Sequence, residues 1–331
     1  MIALQELGHE VVGVDITPRN RRMQRWLPMR VLHRLGYPVD LAAVNQKILH
    51  YARVSHFDML WIEKALAVTP ATLKRFRALS RPASPRLVFY SPDDMMNPRN
   101  QSRYYISSLP CYDLHVTTKS YNVAELKDAG ARDVFFVWKG YDPHTHRPVQ
   151  LSPQEQQHWQ TDVGFIGTFE HDRYQHMVAL AQAGIPVVWR GSGRFFRTDR
   201  YPLLTIYTEN IWDEEYVRAI HATKINLCFL RKANRDLHTQ RSVEIPACGR
   251  FMLAERTDEH LALFEAGREA AFFGDTSELI AQVRYYLQHE QERECIAAAG
   301  RQRCLDGGYS NHQRLTSVLE YLHNAGNEVR R

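Results

Sequence analysis

Between Ile225 and Phe251 the chain reads INLCFLRKANRDLHTQRSVEIPACGRF, its densest run of residues able to do chemistry. The apolar start predicts a buried strand. It runs into a loop holding Arg231, Lys232, Arg235, Asp236 and His238, and a helix then opens near Thr239 to Ser242 and carries Glu244. N–H groups at a helix start have no partner within the helix, so basic residues ahead of one make a place for an anion. Glu244, within the first turns, offers a carboxylate that can accept two hydroxyl donors at once, as a ribose diol would present them. The same residues also fit a plainer arrangement, a helix with a favourable acidic first turn behind a charged surface loop.

Further candidates are scattered. Gly167 and Thr168 follow an apolar stretch, with Arg173 beyond them. A glycine there lets backbone approach a phosphate and an arginine neutralises it; a turn with a surface arginine reads equally well. Gly191 and Gly193 would line a base pocket or simply make a tight turn. Asp93 and Asp94 end a strand in the first half, where a base for an acceptor hydroxyl would be useful and where a capping pair is equally at home. His115, His144 and His146 are alternatives for that base.

Several chemistries lack their signature. There is no G-x-x-x-x-G-K-[ST], and Gly191-Ser192-Gly193 fails as a dinucleotide fingerprint because position 196 is Phe. H-E-x-x-H, G-x-S-x-G and D-x-D are absent, so no metal site and no cofactor are predicted. Five cysteines without a C-x-x-C pair suggest neither a zinc ribbon nor a disulfide framework.

The elements that must position these residues alternate. Strands are predicted at Val11–Val14, Phe57–Ile62, Arg86–Tyr90, Tyr112–Thr117 and Val134–Trp138, with helical patterns over 23–51, 70–79 and 123–129. Prolines 143, 148 and 153 mark a break, after which strands at Val163–Ile166, Val187–Arg190, Leu203–Tyr207, Ile225–Leu230, Phe251–Ala254 and Ala271–Phe273 alternate with helices. Such alternation indicates βα units and parallel sheets. The expectation is an α/β protein of two Rossmann-like domains facing a cleft, residues 1–150 on the acceptor side and 151–310 on the donor side, with a helix at 311–331 packing back toward the first. Residue 1 already sits in a helical pattern, so the first domain is expected to lack its first strand and the chain to start late. With 331 residues, 24% of them charged, and a net charge of +5, the chain can bury two cores. Its arginines form no basic block interleaved with aromatics, which argues against nucleic acid. No apolar run reaches the ~18 residues of a membrane span; peripheral membrane association stays open. The acidic, amphipathic N-terminus is not a secretory signal, and a cytoplasmic protein is expected.

The text RDLHTQRSVEIPACGRFMLAERTDEHLALF, followed by EAAFFGDTSELIAQVRYYL and AAAGRQR, resembles CgeB-like (spore maturation) glycosyltransferases. SPDDMMN, YDLHVTTKSYNVAEL and VWKGYDPHTHRPV match the first half of that family more loosely, and DVGFIGTFEHDR resembles the opening of its second domain. The resemblance implies a GT-B fold and metal-independent transfer of a sugar from a UDP-, GDP- or dTDP-linked donor to an unknown acceptor. It places Glu244 on the donor ribose, Arg241 beside the diphosphate, and Lys232 and His238 among the donor contacts. Related retaining enzymes carry E-x7-E; here seven residues separate Asp236 from Glu244, which makes Asp236 a catalytic candidate beside Asp94, the candidate base. A non-catalytic sugar- or partner-binding protein and a nucleotide-sugar epimerase of the same fold are the alternatives.

Overall fold

The computed structural model describes residues 1–17, 26–80, 84–193 and 201–328. The chain divides into two α/β units, one of Met1–Trp138 with Leu315–Arg331 and one of Lys139–Arg314.

The first unit opens with helices α1 (Ile2–Glu6), α2 (Leu27–Arg34) and α3 (Val44–Val54). Then β1 (Met59–Glu63), α4 (Pro70–Leu79), β2 (Arg86–Ser91), α5 (Arg103–Ser108), β3 (Leu114–Thr117), α6 (Asn122–Asp128) and β4 (Val134–Phe136) follow. The four strands pair in the order β1-β2-β3-β4, all parallel. Alternation along β2 sends Leu87 and Phe89 to the face packed by Ile48 of α3 and by Leu73 and Phe76 of α4. Val88 goes to the other face, with Leu114 and Val116, and meets Val318 and Leu322. The last two stand four residues apart on α14 (Asn311–Glu328), so one stripe of that helix covers the sheet. Thr69 caps α4 by accepting from the Thr72 N–H, and Pro70 at the first helical position needs no donor partner.

The strand expected at Val11–Val14 does not form. Gly8 turns the chain with φ +87°, but residues 11–14 pair with no strand. A β-branched run becomes a strand only where a sheet edge takes up its backbone groups, and here only Val14 packs against the core. The first part of the helical pattern over 23–51, through residue 25, lies outside the described residues.

In the second unit α7 (Pro153–Trp159) leads into β5 (Thr161–Ile166), α8 (His171–Gln182), β6 (Val187–Arg190), β7 (Leu204–Tyr207), α9 (Asp213–His221) and β8 (Thr223–Cys228). It continues through α10 (Arg241–Ala247), β9 (Met252–Glu255), α11 (Asp258–Leu263), β10 (Ala271–Phe273), α12 (Thr276–Gln288) and α13 (Glu290–Asp306). Six parallel strands run in the order β10-β9-β8-β5-β6-β7. Val163, Phe165, Leu227 and Leu253 fill the core with Met177 and Leu180 of α8 and Leu279 and Val283 of α12.

Pro153, read in sequence as part of a break, instead opens α7. Ser152 and Glu155 close a reciprocal capping box ahead of it. Residues from Lys139 onward belong to this unit, where Tyr141 N–H donates to Tyr309 O at 3.0 Å and Asn311 N–H donates to Tyr141 O at 2.8 Å. Among the described residues no helix is long and apolar enough to cross a membrane.

Candidate functional site

In a parallel sheet all strands end at one edge, and ligands bind beyond the carboxyl ends. In the second unit that edge collects Gly167 after β5, Gly191 after β6 and Phe229–Leu230 after β8. Gly167 N–H donates to Arg190 O and Gly191 N–H to Tyr207 O, both at 2.9 Å. Gly191 has φ +150°, and a Cβ there would stand 2.1 Å from Gly167 O. No other residue fits so close a crossing. Gly193 and Thr168 lie exposed beside it.

Two arginines reach this edge from different helices. Arg173, on α8, donates from Nε to Leu230 O at 3.1 Å and from Nη1 to Thr168 O at 3.0 Å. Arg241, at the start of α10, donates to Phe229 O at 3.3 Å. Their guanidinium carbons lie 5.4 and 5.3 Å from the centre of one ring, that of Phe165. Neither makes an ion pair among the described residues, and the Arg241 Nε is buried without a hydrogen-bond partner. Burial, followed by the like charge of Arg241, pushes the Arg173 guanidinium down to about 10. Two cations held together without an ion-paired carboxylate, with Glu170 and Asp236 acting on Arg173 only from beyond ion-pair distance, suit an anion.

Glu244 is buried on α10. Its Oε2 accepts from the Tyr216 O–H of α9 at 2.7 Å, and its Oε1 lies 3.5 Å from His146 Nε2. Burial and this carboxylate drive the Tyr216 phenol well above its usual range, so it stays a neutral donor. A carboxylate has about four lone-pair positions, which leaves acceptor capacity for other hydroxyls. Some of the N–H groups expected to be free at this helix start are already bound: Ser242 N–H donates to Thr239 O at 3.2 Å, and Val243 N–H donates to Gln240 O at 3.1 Å. Residues 239–240 turn before the helix proper, so the arginine side chains supply much of the positive potential here.

The loop after β8 is tied down. Lys232 Nζ pairs with Glu255 Oε2 at 2.5 Å, and the other oxygen of Glu255 accepts from Leu230 N–H at 2.7 Å. Asp236 is 9% exposed and accepts from Asn234 Nδ2 at 2.8 Å. His238 is fully buried. Its Nε2 accepts from the Lys139 N–H at 3.2 Å, so Nδ1 carries the proton and donates to Glu259 at 2.5 Å. Both ring nitrogens are thus occupied by protein, and His238 holds the loop.

The acceptor-side candidates fall in the first unit. Asp94 is fully buried, and its Oδ1 accepts from Met96 N–H and Asn122 Nδ2, each at 3.0 Å. Asp93 pairs with Lys64. His115 lies in the core, where desolvation lowers its imidazole to about 4.

The structure therefore gathers Gly167, Thr168, Arg173, Gly191, Arg241 and Glu244 around one sheet edge of the second unit, with Lys232 and Asp236 on the loop from β8. Sequence reading missed Tyr216, the Phe165 platform, Glu255 and Glu259. No local pattern marks them; each is defined by a contact from a distant element.

Residues 173–320 match the family described as glycosyl transferase-like. No curated protein matches the chain. Among solved structures, Alr3699/HepE of Anabaena in complex with UDP and glucose is 16% identical with a TM-score of 0.61, over 86% of this chain and 82% of that one. Sucrose-phosphate synthase of Thermosynechococcus elongatus is 12% identical with a TM-score of 0.58, over 86% and 79%. An E. coli structure described as trehalose-6-phosphate bound with UDP-2-fluoro glucose is 12% identical with a TM-score of 0.59, over 88% and 82%. The chain has the two-domain fold of the GT-B glycosyltransferases, and residues 173–320 are similar to the family described as glycosyl transferase-like.

Proposed function

We propose that this chain is a cytoplasmic glycosyltransferase of the CgeB-like branch that moves a sugar from a nucleotide-diphosphate donor to an acceptor hydroxyl. The observation that carries this reading is the pair of guanidiniums of Arg173 and Arg241, set without an ion-pair partner beside Gly167 and Gly191. A diphosphate binds that pair, Glu244 accepts from the ribose hydroxyls, and Asp236 faces the transferred sugar. The bond from the anomeric carbon to the diphosphate oxygen breaks, a bond to the acceptor oxygen forms, and the acceptor proton passes to a base, for which Asp94 is the candidate. Negative charge grows on the departing diphosphate, where Arg173 and Arg241 stabilise it in place of a metal. Because several structural neighbours are complexes with UDP or a UDP-sugar, uridine donors are the first choice.

Calorimetric titration with UDP, GDP and dTDP tests the donor site. We expect saturable binding of one nucleotide, weakened at least tenfold in Arg241→Gln, because a charge-assisted hydrogen bond contributes roughly 1.5–3 kcal/mol. Nucleotide release from the matching sugar donor should persist in EDTA. Wild-type affinity in Arg241→Gln would remove the diphosphate assignment, and turnover restored only by Mg²⁺ or Mn²⁺ would remove the metal-free mechanism.

A further inference from the structure

At the opposite edge of the same sheet, where strands begin, lies a cavity of about 630 Å³ between the turns entering β8 and β9 and helix α13. Ligands of open α/β sheets gather at the carboxyl ends, so this space serves no part of the donor site. Its walls are cationic: Lys224, Arg250, Arg293 and Arg301 line it against Glu290 and Glu294.

The placement follows from spacing. Arg293, Ala297 and Arg301 stand at i, i+4 and i+8 on α13 and share a face. Ala297 between them is small, which leaves the middle of that face open. Arg250 enters from the turn after α10, where Gly249 (φ +70°) lets the Arg301 stem pass: a Cβ there would stand 3.3 Å from Arg301 Cδ.

Partnering is uneven. Lys224 is neutralised by Asp162 at 2.7 Å, and Arg293 is 6% exposed, bonded to Tyr286 O and 3.8 Å from Glu290. Among the described residues Arg250 and Arg301 have no ion pair, and the Nε of each is buried without a hydrogen-bond partner. Burial, opposed by the more distant Glu294, lowers the Arg250 guanidinium below its usual range. His221, on the same wall, is lowered to about 4 by burial and by Arg250, so it adds no charge near neutral pH. Phe251, Pro148 and Val149 make the rest of the lining partly apolar.

We propose that this cavity is a second anion site, taking a small phosphorylated molecule through the forked donors of Arg250 and Arg301, independently of the donor site. Guanidinium forks match phosphate oxygens bidentately, and the partly apolar wall suits the carbon skeleton of a phosphate monoester more than a bare ion.

The test uses the full chain saturated with the nucleotide that binds its donor site, so that added phosphate compounds cannot read out there. Glucose 6-phosphate, glucose and inorganic phosphate are titrated by calorimetry. We expect glucose 6-phosphate to bind saturably and more tightly than inorganic phosphate, and glucose not at all. The double variant Arg250→Gln/Arg301→Gln should weaken the phosphate ester at least about tenfold while leaving nucleotide affinity unchanged. Ala298→Glu, at an exposed rim position, keeps the arginines and adds a carboxylate; it should weaken the ester too, and it reports even if the double variant does not fold. The proposal falls if glucose 6-phosphate shows no saturable heat in the nucleotide-bound protein. It falls equally if Ala298→Glu, or a folded double variant, binds as wild type does.

Discussion

Glu244 illustrates how one side chain is set by its surroundings. Buried on α10, it keeps one oxygen on the Tyr216 hydroxyl, which fixes the carboxylate while leaving lone pairs for a diol. Glu244→Gln keeps the shape and the Tyr216 contact but loses the charge. If two ribose hydroxyls donate to this group, donor affinity should fall about 10²-fold, since each charge-assisted bond contributes roughly 1.5–3 kcal/mol. Unchanged nucleotide affinity in a folded Glu244→Gln protein would rule out the ribose contact. Gly191 makes a complementary case through backbone alone. Alanine there would collide with Gly167 O at a φ of +150°, so the turn must open. Gly191→Ala should lower nucleotide affinity by tenfold or more, roughly 1.4 kcal/mol, without touching any charged group; titration of the folded variant checks this.

At the scale of elements, the alternation of strands and helices was legible because each buried strand is a short apolar run between turn residues. Both sheets and nearly every helix of the second unit follow from it. Two readings failed for the same reason: a local pattern was weighed without its partner. Val11–Val14 has strand composition but meets no sheet edge. Pro153 looks like a breaker, yet a proline at a first helical position preceded by Ser and followed by Glu is a start signal. The site was legible in residue type, since Glu244, Arg241, Arg173 and the glycines converge, but not in its second contacts: Tyr216, Phe165 and Glu259 sit 28, 76 and 21 residues from the groups they touch. Some of the free amides expected at α10 are taken up by a preceding turn that spacing does not reveal. The capping box of α7 can be measured directly. Ser152→Ala removes the acceptor for Glu155 N–H and should destabilise the second unit by about 0.5–2 kcal/mol, read as a lower urea midpoint. A midpoint equal to wild type would mean that packing of Trp159 holds the helix without its cap.

For the molecule as a whole, each unit buries histidine in its neutral form. In the first, His115 packs among Phe89, Tyr105 and Tyr112 with neither ring nitrogen hydrogen-bonded. In the second, His221 is set against Arg147 O at 3.2 Å. Desolvation lowers both from 6.5 to about 4. A folded-state value below the unfolded one means that, between pH 6.5 and 4, the unfolded chain binds protons the folded chain refuses. Stability is therefore level above pH 6.5 and falls as pH drops through that window, by up to about 1.4 kcal/mol per pH unit for each histidine. The surface carboxylates with lowered values, Glu155, Asp275 and Glu278, titrate below their ordinary range and leave most of this window to the histidines. Between pH 6.5 and 5 each histidine should remove about 2 kcal/mol at most. Urea unfolding of His115→Leu at both pH values isolates the first. Leucine has no proton to gain, so the loss on acidification should shrink by about the share of one histidine, whatever the variant's stability at pH 6.5. If His115→Leu loses as much stability as wild type between the two pH values, then His115 is protonated in the folded protein, and the core around it admits charge.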